Sequence, residues 1–195
     1  MSTSIPLYLA STSRYRQELL ERLGIEFMVE APGVDETASL DEVAGSLALR
    51  LAEAKARAVG RRHPDALVLG SDQVAQLGDA RLGKPGTIAA AIAQLQACSG
   101  RTVEYATALC LFDGRNQSVQ THLDSTIVSF RHLTVAEIER YVDADTPLDC
   151  AGGFRSESLG AALVDSMRSD DPSALIGLPL IATARLLRNS GLLLP

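Results

Sequence analysis

The chain has 195 residues, 46% hydrophobic and 22% charged, which suits a compact fold with a sizeable core and excludes disordered and coiled-coil classes. Its net charge of −6 lacks the basic excess with which a general nucleic-acid binder displaces counterions, although a local cluster of Lys and Arg can still hold a small phosphorylated ligand. Cys98, Cys110 and Cys150, widely spaced and without a paired-thiol motif, read as reduced core residues of a cytoplasmic protein.

In chain order, MSTSIPLYLASTSRYRQ has too short an apolar segment for a secretory signal, and no apolar run reaches membrane-spanning length, so a cytoplasmic protein with no membrane partner is expected. PLYLAS predicts a short buried strand. RYRQELLERLG places Leu19, Leu20 and Leu23 at helical spacing, with Gly24 closing the helix. A strand at EFMVEA leads into PGVDET, a turn carrying acids. From Leu40 to Arg62, Ala and Leu recur at helical spacing while Lys and Arg gather toward the end, as the helix dipole favours. ALVLGSD is an apolar run broken by Gly-Ser-Asp, which predicts a buried strand delivering Asp72 at its end. TIAAAIAQLQACSG predicts a helix, and TVEYATALCLFDG and SVQTHLDSTIVSFRHL two strands joined through DGRNQ. TVAEIERYVDA opens on a threonine cap with glutamate three residues on, and GLPLIATARLLRNSG predicts a last helix with proline near its start. The chain contains no internal repeat or low-complexity tract.

GDARLGKP, from Gly78 to Pro85, has the glycines and lysine of a phosphate-binding P-loop. A P-loop continues with a hydroxyl residue inside the first turn of a helix, where amides ring the phosphates and the hydroxyl holds magnesium. Pro85 offers neither hydroxyl nor amide and biases Lys84 toward an extended backbone, which rules that motif out. Lys84 is then either a surface lysine in a turn or an ammonium aimed at a phosphate from a composite site.

Other segments carry the same two-sided choice. STSRYR sets Ser11, Ser13 and Arg16 between a strand and a helix N-terminus, where hydroxyls, amides and a guanidinium can meet an anion; a serine cap beside a solvated arginine has the same sequence. Asp35 and Glu36 in a turn, with Asp72, suit a hard divalent cation or simply solvent. Lys55 in AEAKARA is a functional cation or a helix-surface ion-pair partner. His63, His122 and His132 have no metal-ligand spacing, and no nucleophile elbow marks a serine hydrolase.

Together, LASTSRYRQELL, VDE, AEAKA, GSDQV, GKP, AGGFRSESLG and IGLPL occur in the order found in the Maf-like nucleotide pyrophosphatases, and the chain resembles that family along nearly its whole length. Within it the sequence is similar to the YceF branch, which resembles a 7-methyl-GTP pyrophosphatase rather than the branch acting on thymidine and uridine triphosphates. Gln73 stands where the pyrimidine branch carries threonine, Tyr15 where the YceF branch carries tryptophan, and Glu157 where the pyrimidine branch carries glutamine. An aromatic face beside a carboxylate suits N7-methylated guanine, a cationic ring with a donor edge. Arg14 departs from the family's usual proline.

The resemblance implies a single Maf-like domain over residues 1–195, an α/β fold with a mixed twisted sheet flanked by helices and two lobes around a deep cleft, and a homodimer. It implies cleavage between the α and β phosphates with magnesium or manganese as cofactor. Asp72 would be the proton acceptor, Glu36 with Asp72 the metal ligands, Ser11, Ser13, Arg16, Lys55 and Lys84 the phosphate contacts, and Tyr15, Gln73 and Glu157 the specificity residues. The alternatives are a pyrophosphatase for another modified or canonical nucleotide and a non-catalytic nucleotide sensor in cell division.

Overall fold

The structure, a computed structural model, describes residues 5–194; the leader reading of residues 1–4 lies outside them. The chain forms two compact units, one from Met1–Asp72, Thr107–Asp124 and Asp171–Pro195, the other from Gln73–Ala106 and Ser125–Asp170.

In the first unit, β1 (Leu7–Leu9) pairs in parallel with β2 (Met28–Val29) and with β3 (Leu67–Leu77), in register Leu7 to Leu67 and Leu9 to Leu69. Parallel neighbours need crossovers, here α1 (Arg14–Glu21) and α2 (Ala44–Gly60). Gly24 adopts φ 64 and terminates the first crossover. Leu7, Leu9, Leu67 and Leu69 pack with Leu109 and Leu111, with Leu19 and Leu20 of α1, and with Ala182, Leu186 and Leu187 of α5 (Leu180–Asn189). These residues form the apolar core that fixes β1 and β3, the strands bordering the site.

Several boundaries differ from the sequence expectation, among them the strand expected over EFMVEA, which is only Met28–Val29. The second helix starts at Ala44 rather than Leu40, because Asp41 takes φ 58 and the Glu42 carboxylate accepts from Ser39 N at 3.0 Å and from Arg50 Nε at 2.8 Å, building a turn instead. Strand β3 does not stop at Asp72. It continues to Leu77, Gly78 turns at φ 60, and β4 (Ala80–Leu82) folds back in antiparallel register, Ala75 to Leu82 and Leu77 to Ala80. Asp72 is therefore a mid-strand residue, kept in place from both directions.

In the second unit, α3 (Ile88–Cys98) is capped by Thr87, whose hydroxyl accepts from Ala90 N at 3.2 Å. The helix α4 (Val135–Asp145) opens on the expected capping box: Thr134 Oγ1 accepts from Glu137 N, and Glu137 Oε2 accepts from Thr134 N at 2.8 Å. Strands β5 (Thr102–Asp113) and β6 (Ser118–Phe130) have residues in both units; β5 follows its predicted range, β6 stops at Phe130 rather than Leu133, and β7 (Val164–Arg168) pairs antiparallel to β6. The full order is β2-β1-β3-β5-β6-β7 with β4 on β3, a seven-stranded mixed sheet flanked by five helices.

Cys98 and Cys110 are buried, and burial pushes their thiols up to about 11 and about 12. Cys150 is half-buried rather than core, with Sγ 3.6 Å from Asp149 Oδ1.

Candidate active site

A close approach between helix and strand sets the centre of the site. Gly70 lies under α2, where a Cβ would collide with the Ala52 carbonyl and stand 2.7 Å from Ala56 N. No other residue type lets the two backbones approach so closely. Gly70 and Asp72 share one face of β3 by strand alternation, and Ala52, Lys55, Ala56 and Val59 fall on one buried stripe of α2. The same packing that seats Ala52 and Ala56 over Gly70 carries Lys55 to Asp72.

The Lys55 ammonium donates to Asp72 Oδ1 at 2.6 Å and pairs with Glu36 Oε1 at 2.7 Å. Lys55 and Asp72 are buried, whereas the Glu36 side chain is 60% exposed, so the triad runs from the interior to solvent. Asp35 takes no part in it; a side-chain hydrogen bond with Thr37, first of all, and the bond its Oδ1 accepts from Thr37 N at 2.9 Å hold the carboxyl below its usual range.

Arg16, on α1, donates from Nε to Gly177 O at 2.9 Å. Burial pulls its guanidinium below the ordinary value, opposed by the negative charges of Asp72 and Glu36, which place Arg16 in the field of the triad. The carbonyl that orients it is itself fixed. Ser71 Oγ lies 2.9 Å from Gly177 O and 2.8 Å from Ala108 O. Asp171 ties the preceding turn to α5 by accepting at Oδ1 from Ser173 N and at Oδ2 from Ile181 N, 3.0 Å and 2.7 Å away.

At the start of α1, buried Ser11 accepts at Oγ from Ser13 N at 3.1 Å, while Ser13 occupies the N-cap position without a side-chain capping bond. Its hydroxyl and the first-turn amides stand at the positive end of the helix dipole. Tyr15 is half-buried; the Arg14 guanidinium lies 4.9 Å from its ring centroid, and Arg14 Nη2 donates to its hydroxyl at 3.1 Å.

Thus Glu36, Lys55 and Asp72 come into direct contact, with Arg16 in their field and Ser11, Ser13 and Tyr15 in the same unit. Gln73, Lys84 and Glu157 belong to the second unit. Gln73 follows Asp72 on β3 and is half-buried, Lys84 is exposed in the loop after β4, and Glu157 is exposed and accepts from Ser156 Oγ at 3.3 Å. The sequence expectation omitted Ser71, Gly177 and Asp171. Ser71 was signalled by a serine inside an apolar strand and Gly177 by the glycine of IGLPL, each too short to be read without its partner, and Asp171 by no more than an acid before a proline.

The sequence profile of the family described as Maf-like protein matches residues 6–190. The chain belongs to this family. Among its Maf-like relatives, the 7-methyl-GTP pyrophosphatase of Aromatoleum aromaticum is 55% identical over 189 residues, covering 97% of both chains. That of Xanthomonas oryzae pv. oryzae is 56% identical over 189 residues, 97% of this chain and 98% of its own. The protein of the same name from Cupriavidus metallidurans is 50% identical over 185 residues, 95% of this chain and 93% of its own. The mixed sheet flanked by helices agrees with the α/β architecture expected for a Maf-like chain.

Proposed function

We propose that this Maf-like chain, acting as a single catalytic domain, hydrolyses 7-methyl-GTP to 7-methyl-GMP and pyrophosphate. The observation that carries the proposal is the convergence of buried Asp72 and Lys55 with exposed Glu36, an acid-base-acid set within hydrogen-bonding distance beside an arginine. The names and identities of the relatives support the choice of substrate.

A triphosphate repels an attacking hydroxide, so its hydrolysis needs fixed positive charge and a base that prepares water. Asp72 Oδ1 is held by Lys55, and Oδ2 takes the proton from the attacking water. The water oxygen bonds to the α phosphorus, the bond to the bridging oxygen breaks, and the electron pair leaves with pyrophosphate. Lys55 directs two of its three donors at Asp72 and Glu36, and the third serves a phosphate oxygen. Arg16 supplies guanidinium charge, Ser11 and Ser13 orient phosphate oxygens at the start of α1, and Lys84 contributes a further ammonium.

The donor set fits a hard divalent ion. Two carboxylates, Glu36 and Asp72, already share one cationic group, and oxygen donors of this kind are those that magnesium and manganese take. Glu36 with Asp72 would hold it, and when bound it supplies charge neutralisation to the triphosphate.

Base selection rests on Tyr15, Gln73 and Glu157. The Tyr15 ring has the Arg14 guanidinium 4.9 Å from its centroid, and a methylated guanine is likewise a planar cation that an aromatic ring attracts. The family resemblance supports a homodimer, and the cysteine pattern supports a cytoplasmic setting; no helix among the described residues is long and apolar enough to cross a membrane.

A screen of nucleoside triphosphates with magnesium or manganese, read out as pyrophosphate release, tests the proposal. The highest kcat/KM is expected for 7-methyl-GTP, with activity lost on chelation and restored by metal. Pyrophosphate release from none of the nucleotides would leave only a sensor.

A further inference from the structure

The two residues that flank Ser156 and Glu157 are tied to one carboxylate oxygen. Asp145, the last residue of α4, accepts at Oδ1 from Arg155 Nη1 at 3.0 Å and from Ser158 Oγ at 2.8 Å. The Asp145 side chain is 5% exposed and that of Arg155 16%, so this is an interior pair rather than a surface bridge. Arg155 Nη1 also donates to the Asp145 carbonyl at 3.1 Å, and the Arg155 amide donates to Tyr141 Oη, one turn earlier on α4, at 2.9 Å. Beyond the segment, Gly160 N donates to Arg155 O at 3.1 Å, and a Cβ at Gly160 would collide with that carbonyl.

Stability alone accounts poorly for this arrangement. A carboxylate at a helix C-terminus opposes the macrodipole, and buried ion pairs are commonly replaced by apolar groups without loss of stability. Asp145 Oδ2 is in addition buried without a hydrogen-bond partner among the described residues, a cost that an apolar side chain would not carry. What the pair does provide is a fixed main chain on both sides of an exposed glutamate. A carboxylate distinguishes a cationic purine from a neutral one only if it is held where the charge falls, because ordering a loose loop on binding offsets the gain.

We propose that Asp145 and Arg155 are positioning residues for purine selectivity, acting by clamping the segment that carries Glu157. The inference rests on the reading of Glu157 as a specificity residue.

The test measures kcat/KM for 7-methyl-GTP and for GTP, together with thermal midpoint, in Asp145→Asn, Arg155→Lys and Tyr141→Phe, each alone and combined with Glu157→Gln. Each clamp variant is expected to lower the ratio of 7-methyl-GTP to GTP about tenfold in the otherwise native chain. The same variants should leave the ratio unmoved once Glu157 is glutamine. A structural defect alone would reduce both substrates together and leave the ratio constant. If Asp145→Asn does not fold, Arg155→Lys, which keeps the charge, and Tyr141→Phe, which removes only the acceptor of the Arg155 amide, carry the test. Ratios unchanged by the clamp variants while Glu157→Gln shifts them would overturn the inference, as would equal shifts with and without Glu157. A ratio unmoved by Glu157→Gln itself would instead overturn the reading of Glu157.

Discussion

Lys55 Nζ lies 2.6 Å from Asp72 Oδ1 and 2.7 Å from Glu36 Oε1, so one ammonium joins a buried acid to an exposed one. Asparagine at position 72 keeps the shape and an acceptor for Lys55 but cannot take a proton from water. Asp72→Asn is therefore expected to lower kcat by about 10²–10⁴ while nucleotide affinity, followed by calorimetry, stays close to that of the native chain. A near-normal kcat would remove Asp72 from the role of base.

Gly70 supports that contact from beneath. Gly70→Ala places a methyl against the Ala52 carbonyl and Ala56 N, and α2 has to move off β3. The expected cost is about 1–3 kcal/mol by denaturant unfolding, with a loss of turnover at temperatures where the variant is still folded. Full activity in a folded Gly70→Ala protein would show that Lys55 does not depend on this packing.

The cap of α4 gives a pH signature. Hydrogen bonds from Thr134, first of all, and the ion pair with Arg131 hold the Glu137 carboxyl down at about 2 against an ordinary 4.5. Because the folded value is depressed, the stability it contributes is fully present above about pH 4.5 and is lost as pH falls toward 2. Glu137→Gln should flatten this part of the acid-unfolding profile and leave the neutral range with the same slope. An unchanged profile between those pH values would refute the assignment.

Arg14 lies over the Tyr15 ring, 4.9 Å from its centroid, and so competes for the ring with the proposed cationic base. Removing a competing cation at an exposed site is worth roughly a two- to fivefold gain in affinity. Arg14→Ala is expected to lower KM for 7-methyl-GTP by that factor relative to GTP. Equal increases in KM for both nucleotides would show that Arg14 serves the phosphates instead.

Local signals served well where a residue's neighbours in sequence are its partners in space. The Thr134 and Glu137 box, the Gly24 stop and the paired runs of β5 and β6 could all be read directly. Asp72 illustrates the limit. Its position was legible as a break in an apolar run, but the strand continues through it because β4 returns to pair with Ala75 and Leu77, a contact that GDARLGKP does not announce. β7 escaped notice for a related reason: as an exposed strand with one mapped partner, it lacks an apolar face to give it period. In the site, Glu36, Lys55 and Asp72 were recognisable by type and order, whereas the carbonyl that aims Arg16 comes from residue 177, far along the chain and without any side chain to betray it.

Asp72 and Gln73 are successive residues of one strand and so present their side chains to opposite faces. An insertion or deletion between Leu67 and Ser71 would exchange their outlooks in a single step, turning an amide toward Lys55 where a carboxylate now lies. The length of this strand is therefore as much a part of the proposed site as its letters, because the proposed base and the proposed specificity residue depend on one pleat phase.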